Sequence, residues 1–528
     1  MKKFWVPLTA AGLFLLTVAI MLFFSLKENQ GHFVYALDDA YIHMAMAKNF
    51  VLHGIWGVTP EGFSSSTSAP FWVLLLSATY LLFGINIYSP LIINIICALL
   101  IIFLANSLLS RYKIAPHYLF FTLLGIIYFT SLPALTLSGM EHLLHLLLSL
   151  GFVMIITNKK LTRKKFIALF ILTSALAITR YESLFLIFVA GIYLLARKQW
   201  RIAGGLATCA IIPIIIYGLV SIYNGWLFFP NSIMVKSNLA LVNQPQEILN
   251  IFSLAIINNL FNSPYLAALL LMSFTCFVYR WLERLPWEDV YSQLLICAFA
   301  SLLHLQFAKI GWFWRYEAYL IALLFLFVAL VIFRALSQKT STKLMILLGL
   351  FLLTCFLLLF RARIFLAFSY QSLNDRYLEH YYPAQFLAKY YNDQPILTND
   401  IGMIAYYTNC KIVDIYSLAN KETAYIVDKD TGRLRLLRYT NERPSAVDLA
   451  AWVKLKDPIL AVLHYDGDLS SIPKNWAKVA TWEVPRNVLY ENKYISFFVI
   501  DPSYKKALTK NIRTFVLTLP KQLKHDKI

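Results

Sequence analysis

Two adjacent carboxylates, Asp38 and Asp39, open the segment LDDAYIHMAMAKNF, in which Ile42, Ala45, Met46 and Phe50 recur on one helical face. One Asp can serve as a helix N-cap, which leaves the other spare. A spare acid near a membrane interface can take the proton from an incoming hydroxyl. A third acid, Glu141, stands in LSGMEHLL, where a solvated interfacial acid or a capping box with Ser138 is the simpler explanation. Arg180 and Glu182, in ITRYESLF, are spaced for an ion pair, and an Arg held against the usual charge bias is also a candidate anion ligand. Lys236 in LFFPNSIMVKSN and Arg315 in GWFWRYEAY are cations suited to a phosphate at a membrane surface. Snorkelling to lipid head groups, with an aromatic belt around Arg315, would explain them equally well. His43, His142 and His145 form no two-histidine, one-carboxylate set and read as structural. His43 is nevertheless kept, with Glu182 and Asn231, as a residue that could position an acceptor. Carboxylates and separate cations beside a lipid boundary suit transfer from an anionic, lipid-borne donor to a hydroxyl, and no GxGxxG, Walker A or GxSxG pattern competes.

The elements that must hold these residues follow from composition. Of 528 residues, 59% are hydrophobic and 14% charged, against roughly 45–50% and 25% in a soluble domain. Apolar runs bounded by Lys or Arg recur up to Arg361, the pattern of a polytopic helical membrane protein. The following stretch has ordinary polarity and is long enough to bury its own core. The expected domains are therefore a membrane domain over 1–360 and a globular domain over 361–528. The net charge of +19 divides into about +12 in the first part and about +7 in the second. In the first part it lies mostly in short loops, which argues for cytoplasmic loops and against nucleic acid. The six cysteines, Cys97, Cys209, Cys276, Cys297, Cys355 and Cys410, show no CxxC spacing, so no structural zinc is expected.

Lys2 and Lys3 precede an apolar stretch without a cleavage site, which predicts a signal anchor and a cytoplasmic N-terminus. Placing the basic clusters at Arg111/Lys113, Lys159–Lys165, Arg197–Arg201, Arg280/Arg284 and Lys339/Lys343 inside fixes the parity of crossings. The run Ala69–Gly84 would break that parity, so it reads as an interfacial or re-entrant helix. The predicted spans are then 4–26, 88–110, 117–134, 140–157, 166–179, 183–196, 202–222, 264–279, 290–308, 317–336 and 344–360, with the C-terminal domain outside. A first outer loop covers 27–87, and other outward segments fall at 138–141, 180–182, 223–263 and 309–317. No internal repeat supports an inverted-repeat transporter. The C-terminal domain reads as α/β, with strands at 395–399, 411–415, 459–464 and 494–501, a short helix at 401–407, and a solvated basic tail from Lys505 to Lys527.

DDAYIHMAMAKNFVLHGIWGVTPEGFSSSTSAPFW, SGMEHLL, TRYESL and FFPNSIMVKS, in that order, resemble the pattern of GT-C glycosyltransferases. The likeness is greatest to the bacterial branch that includes the mycobacterial terminal arabinofuranosyltransferases, and more distant to protein O-mannosyltransferases and lipid A aminoarabinose transferases. DIGMIAYYTNCKIVDIYSLAN resembles a segment of that branch's outward domain. Tyr181 stands where the pattern often has Pro, and the loop before Pro70 is unusually Ser-rich. The resemblance implies a GT-C-like membrane enzyme of the cytoplasmic (inner) membrane, with active site and C-terminal domain facing the periplasm or outside. Its donor would be a polyprenyl-phosphate sugar, and its acceptor a hydroxyl of a cell-envelope glycan, lipid or protein. It maps the base onto the Asp38/Asp39 pair and a second acid onto Glu141. Arg180, Arg315 and Lys236 would then hold the donor phosphate during a single inverting displacement. Such chemistry needs no cofactor, although paired acids could hold a divalent cation. The competing readings are a lipid-linked glycan flippase or transporter, and an envelope assembly protein.

Overall fold

The computed structural model of the chain describes residues 2–158, 162–236, 255–337, 341–416, 418–420, 425–427, 434–436, 449, 453–454, 457–465, 472–485 and 493–526. Eight of the described helices are long and apolar enough to cross a membrane: Trp5–Glu28, Ser89–Arg111, Pro116–Leu137, Trp200–Tyr223, Pro264–Leu282, Asp289–Phe307, Ala318–Leu336 and Thr342–Tyr390. The protein is a multi-pass membrane protein with a small C-terminal sheet domain. The other three predicted spans are also helices, but short: His142–Ile156, Arg163–Thr179 and Ser183–Ala196 have 15, 17 and 14 residues. At 1.5 Å per residue they fall short of an apolar layer about 30 Å thick. The interfacial candidate is the 14-residue helix Pro70–Phe83, whose Pro stands at the helix start, where its missing N–H costs nothing.

The chain divides into two compact units, Met1–Leu22, Pro90–Tyr217 and Ser237–Ala367 in one, and Phe23–Ser89, Gly218–Lys236 and Phe368–Ile528 in the other.

The first unit is a helix bundle built around Ala318–Leu336, which is apolar on every face and buried along almost its whole length. It packs on Pro116–Phe129, His142–Ile156, Pro264–Leu282 and Asp289–Phe307. Gly125 admits the Phe325 ring at a distance that a Cβ would forbid. The predicted span 344–360 is part of a longer helix, Thr342–Arg376. No breaker follows Phe360, and Arg361 is buried within the helix, paired with Glu317 at 3.6 Å. One connection of this unit is unusual. Gly311, Trp312, Phe313 and Trp314 all have positive φ, at 79°, 35°, 60° and 47°. For the three aromatic residues this left-handed path costs on the order of 1–2 kcal/mol each. Two bonds hold it: Gly311 N–H donates to Glu317 Oε2 at 3.0 Å, and Arg361 Nη2 donates to the Trp314 carbonyl at 2.7 Å.

The second unit contains a six-stranded sheet of order β2-β1-β5-β7-β6-β8. Its strands are β1 (Pro395–Thr398), β2 (Lys411–Asp414), β5 (Leu460–Tyr465), β6 (Ala477–Glu483), β7 (Tyr494–Val499) and β8 (Lys524–His525). β3 (Tyr425–Val427) and β4 (Leu434–Leu436) form a separate antiparallel pair. β1, β2 and β5 run parallel, and the remaining pairs of the large sheet are antiparallel. Leu397, Val413, Ala461, Leu463, Trp476 and Phe498 form a core on one face. The basic tail expected to be solvated instead begins as the helix Lys505–Val516. Leu508, Ile512 and Phe515 recur at helical spacing and are buried, with the Phe515 ring 5.9 Å from Trp482 and 5.3 Å from Phe386, while Lys505, Lys506, Lys510 and Arg513 stay exposed. The cations had hidden an amphipathic stripe.

The first predicted outer loop belongs to this second unit, and its helix Asp39–His53 is the reason. That helix grips both ends of the short helix Gly402–Tyr407. At one end, Gly402 N–H donates to Asp38 Oδ2 at 2.7 Å and Met403 N–H to Asp38 Oδ1 at 2.9 Å. At the other, Lys48 Nζ donates to the carbonyls of Ala405, Tyr406 and Thr408 at 3.2, 2.8 and 3.3 Å. Anion and cation each meet the helix end whose orphan groups they complement. The Ser-rich loop is equally built in. Ser66 Oγ donates to the Leu418 carbonyl at 2.5 Å, Ser64 Oγ accepts from Val58 N–H at 2.9 Å, and Asn231 N–H donates to the Ser65 carbonyl at 2.8 Å.

Gly402 has no room for a side chain, because a Cβ there would overlap both the backbone oxygen and the carboxylate of Asp38. Gly402→Ala should therefore destabilise the second unit by about 1–3 kcal/mol through loss of these charge-assisted bonds. The check is a lower thermal unfolding midpoint in detergent than for Gly191→Ala, a position where a Cβ meets nothing within 4 Å.

Candidate functional site

In the second unit, Asp38 occupies the N-cap position of Asp39–His53, yet its side chain does not cap that helix. The carboxylate serves Gly402–Tyr407 instead and also faces His380, with Asp38 Oδ1 and His380 Nδ1 3.5 Å apart. Asp39 lies in the first turn of its helix and is half-buried. Beyond Arg376 the chain runs through one π-helical turn, Tyr377–Tyr381, which buries the consecutive residues Glu379 and His380 together. Such turns often mark functional positions. His380 Nε2 stands 3.2 Å from Glu379 Oε2, and Arg376 Nη2 2.9 Å from the same oxygen. The His380 ring stacks on His464, centroids 4.9 Å apart. His464 Nδ1 lies 3.4 Å from Asp400 Oδ2. Asp400 and His464 stand at the carboxyl ends of the parallel strands β1 and β5, where open α/β sheets place their ligand sites. Asn399 joins the strands by accepting from His464 N–H at 2.9 Å and donating to its carbonyl at 2.7 Å.

This packing sets the charge states. Burial alone would raise the Asp38 carboxyl, but the His380 ring and the two backbone N–H groups outweigh it and hold Asp38 below the ordinary carboxylate range. Asp400 lacks comparable donors, and burial beside the Asp38 and Glu379 charges pushes it up to about 7. Burial and the neighbouring His380 push His464 down to about 4. Among the described residues, two sets of three side chains could hold a cation, Asp38, His380 and Asp400, or Glu379, His380 and His464. Both share His380, and Arg376 already sets a positive charge against Glu379.

In the first unit, Glu141 is buried and not a solvated interfacial acid, and the expected capping box is not formed. Glu141 itself takes the N-cap position of His142–Ile156 without a side-chain capping bond, while Ser138 Oγ donates to the Leu135 carbonyl at 2.7 Å. The carboxylate instead accepts from Arg180 Nη1 at 2.5 Å. Arg180 Nη2 donates to Glu182 Oε1, so one guanidinium bridges two acids. Burial would raise the Glu182 carboxyl, but the Arg180 charge wins and holds it down at about 2. Arg315 is 2% exposed, which rules out snorkelling, and its guanidinium and that of Arg180 each lie 5.1 Å from the centre of the Tyr316 ring. His43 is buried on Asp39–His53 in the second unit. Asn231, also in the second unit, opens the helix Asn231–Lys236, where the side chain of Lys236 lies outside the described residues.

The sequence reading therefore named Asp38, Glu141, Arg180, Glu182 and Arg315 but missed most of their partners. Arg376, Glu379 and His380, in RYLEHYYP, carry the i, i+3, i+4 spacing of one helical face. Asp400 follows a strand ending in Thr398, a position where ligand groups gather. Glu317 stands two residues beyond Arg315 in the same aromatic segment.

A family model described as a domain of unknown function (DUF8728) matches residues 372–498. Comparison of the sequence with curated proteins gives no match. Among solved structures, the chain is similar to ArnT from Cupriavidus metallidurans bound to undecaprenyl phosphate, with 13% identity and a TM-score of 0.53 over 92% of this chain and 97% of that one. It is similar to the same protein in the apo state, again at 13% and 0.53, over 93% and 98%. The fold is that of ArnT. It is the GT-C-like architecture expected from the ordered motifs, and it extends over nearly the whole of both chains.

The Asp400 carboxyl yields a pH prediction. Its folded value near 7 lies above the ordinary 3.8, so the folded state binds the proton more tightly and stability falls as pH rises between these values. Asp400→Asn removes that loss. The variant's gain in unfolding midpoint over wild type should grow from about pH 4 to about pH 7 and then level off. A gain that is constant with pH would contradict the assignment.

Proposed function

We propose that this protein is an integral membrane glycosyltransferase that moves a sugar from a polyprenyl-phosphate-linked donor to a hydroxyl of a cell-envelope glycan, lipid or protein. The observation that carries this reading is the fold shared across nearly the whole chain with ArnT, a protein whose crystal structure contains undecaprenyl phosphate. The order of the short motifs supports it independently. On this reading the enzyme lies in the cytoplasmic (inner) membrane, with the first loop at 27–87 and the domain at 361–528 on the outer side, where lipid-linked sugars are used.

The reaction is a single inverting displacement. An acceptor hydroxyl gives its proton to a carboxylate while its oxygen attacks the anomeric carbon. The bond from that carbon to the phosphate oxygen breaks, and the lipid phosphate leaves already ionised, so no general acid is required. Asp39 is the better base of the pair. The Asp38 carboxyl lies below the ordinary range and is committed to two backbone N–H groups, and a weakly basic carboxylate is a poor proton acceptor. Arg315 and Arg180, whose guanidinium groups flank the same Tyr316 ring, would hold the donor phosphate. Glu141 and Glu182 fix the plane of the Arg180 guanidinium, and Asn231 and His43 position the loop and helix around the acceptor. EDTA decides whether a divalent cation takes part: unchanged turnover would mark a metal-free displacement, and lost turnover would assign a cation to the paired acids.

The test is transfer of labelled sugar from a panel of polyprenyl-phosphate sugars by the full chain in nanodiscs. Wild type should transfer sugar or slowly hydrolyse one donor. Asp39→Asn should lower that rate by about 10²–10⁴-fold, whereas Asp38→Asn should lower the unfolding midpoint. Neither turnover nor binding of any donor would favour the transporter or assembly readings instead.

A further inference from the structure

The left-handed turn at Gly311–Trp314 borders a cleft of about 310 Å³ in the first unit, within the size range of small-molecule sites. Its lining is Asn259, Asn262, Ser263, Tyr265, Lys309, Ile310, Gly311 and Trp314, of which Trp314 belongs to the strained part of the turn. Conformations of this kind persist only where the surroundings over-determine them, and they gather at ligand sites. Here the surroundings are a buried ion pair. Glu317 is fully buried, accepts from Gly311 N–H at 3.0 Å and from the Tyr265 hydroxyl at 2.9 Å, and faces Arg361 at 3.6 Å. Arg361 donates to the Trp314 carbonyl at 2.7 Å and to the Phe129 carbonyl at 2.9 Å. Ser263 Oγ donates to the Tyr265 hydroxyl at 3.2 Å, so the polar floor of the cleft is tied to the same pair.

The chemistry of the lining is distinctive. Asn262 supplies a carboxamide donor and acceptor, Asn259 adds its carbonyl oxygen while its Nδ2 donates to the Leu305 carbonyl at 2.6 Å, the two hydroxyls remain as acceptors, and an ammonium and an indole complete the lining. Among the described residues, no carboxylate lines the cleft. Vicinal hydroxyls matched by amides, with an indole against the C–H face of a ring, are the recognition pattern of a carbohydrate. A lipid chain would meet mostly polar walls there.

We propose that this cleft is a carbohydrate-binding subsite that takes one sugar ring, with Asn259 and Asn262 on its hydroxyls, Trp314 on its apolar face and Lys309 on a hydroxyl or anionic substituent. The Glu317–Arg361 pair acts as the positioning device that holds the aromatic turn in place. The assignment of that ring to a substrate rests on the transferase reading; occupancy of the cleft by a sugar does not.

The experiment is saturation-transfer NMR on the full chain in nanodiscs, with a panel of neutral methyl pyranosides and furanosides as probes. It reads occupancy without turnover, so failure of the transferase reading leaves it standing. At least one glycoside should receive saturation on its ring protons. Asn262→Leu and Lys309→Met, both at exposed positions, should each reduce that signal at least about fivefold. Displacement of the glycoside by a polyprenyl-phosphate sugar would identify the ring as the donor's, and retention would identify it as the acceptor's. Absence of saturation across the panel, or saturation unmoved by both substitutions, would overturn the proposal.

Discussion

The second unit depends on a grip exerted by one helix on another. Asp38 and Lys48, ten residues apart at the start and in the body of the helix segment that follows the first span, take the two ends of Gly402–Tyr407. A six-residue helix is too short to be stable alone, and its end groups would otherwise lack partners. Charge-assisted bonds are worth about 1.5–3 kcal/mol each, so this grip can order a helix that propensity could not. Once Gly402–Tyr407 is fixed, Asp400 is held beside His464 at the ends of the parallel strands, and the π-turn at Tyr377–Tyr381 brings His380 between Asp38 and Glu379. Residues more than 300 positions apart thus become one buried charge network, and the charge state of each member is set by the others.

The first unit uses the same physics differently. Buried guanidinium groups are tolerable only with excellent partners, and two of them have such partners: Arg180 bridges Glu141 and Glu182, and Arg361 combines Glu317 with two backbone carbonyls. In each case the anchored group fixes something that has little stability of its own. Arg180 fixes the turn between two short helices, and Arg361 fixes a left-handed path through three aromatic residues.

Much of this was legible in the sequence. Spans followed from apolar length, and the strands at 395–398, 411–414, 460–465 and 494–499 followed from short β-branched runs between turn residues. The short helix Pro70–Phe83 followed from the apolar run that begins at Pro70. Other features resist reading from one chain. One Asp of the Asp38/Asp39 pair looked like a cap for the helix that follows, because local spacing cannot show that the partner of Asp38 lies at Gly402. Glu141 looked solvated because its partner Arg180 lies 39 residues away. The helix Lys505–Val516 looked like a basic tail because four cations mask Leu508, Ile512 and Phe515, whose burial depends on the distant Phe386 and Trp482. In each case the deciding contact is long-range, and its geometry is set by the fold as a whole.

The Asp38 carboxylate is engaged by the Gly402 and Met403 N–H groups and faces His380, so this acid anchors one helix to another. The most direct measurement of that arrangement is amide hydrogen exchange at Gly402 and Met403 in wild type and Asp38→Ala. The account predicts that both amides are protected in wild type and exchange at least about tenfold faster in the variant, with the sheet amides of Leu397 and Val462 unchanged. Equal protection of Gly402 and Met403 in the two proteins would contradict it.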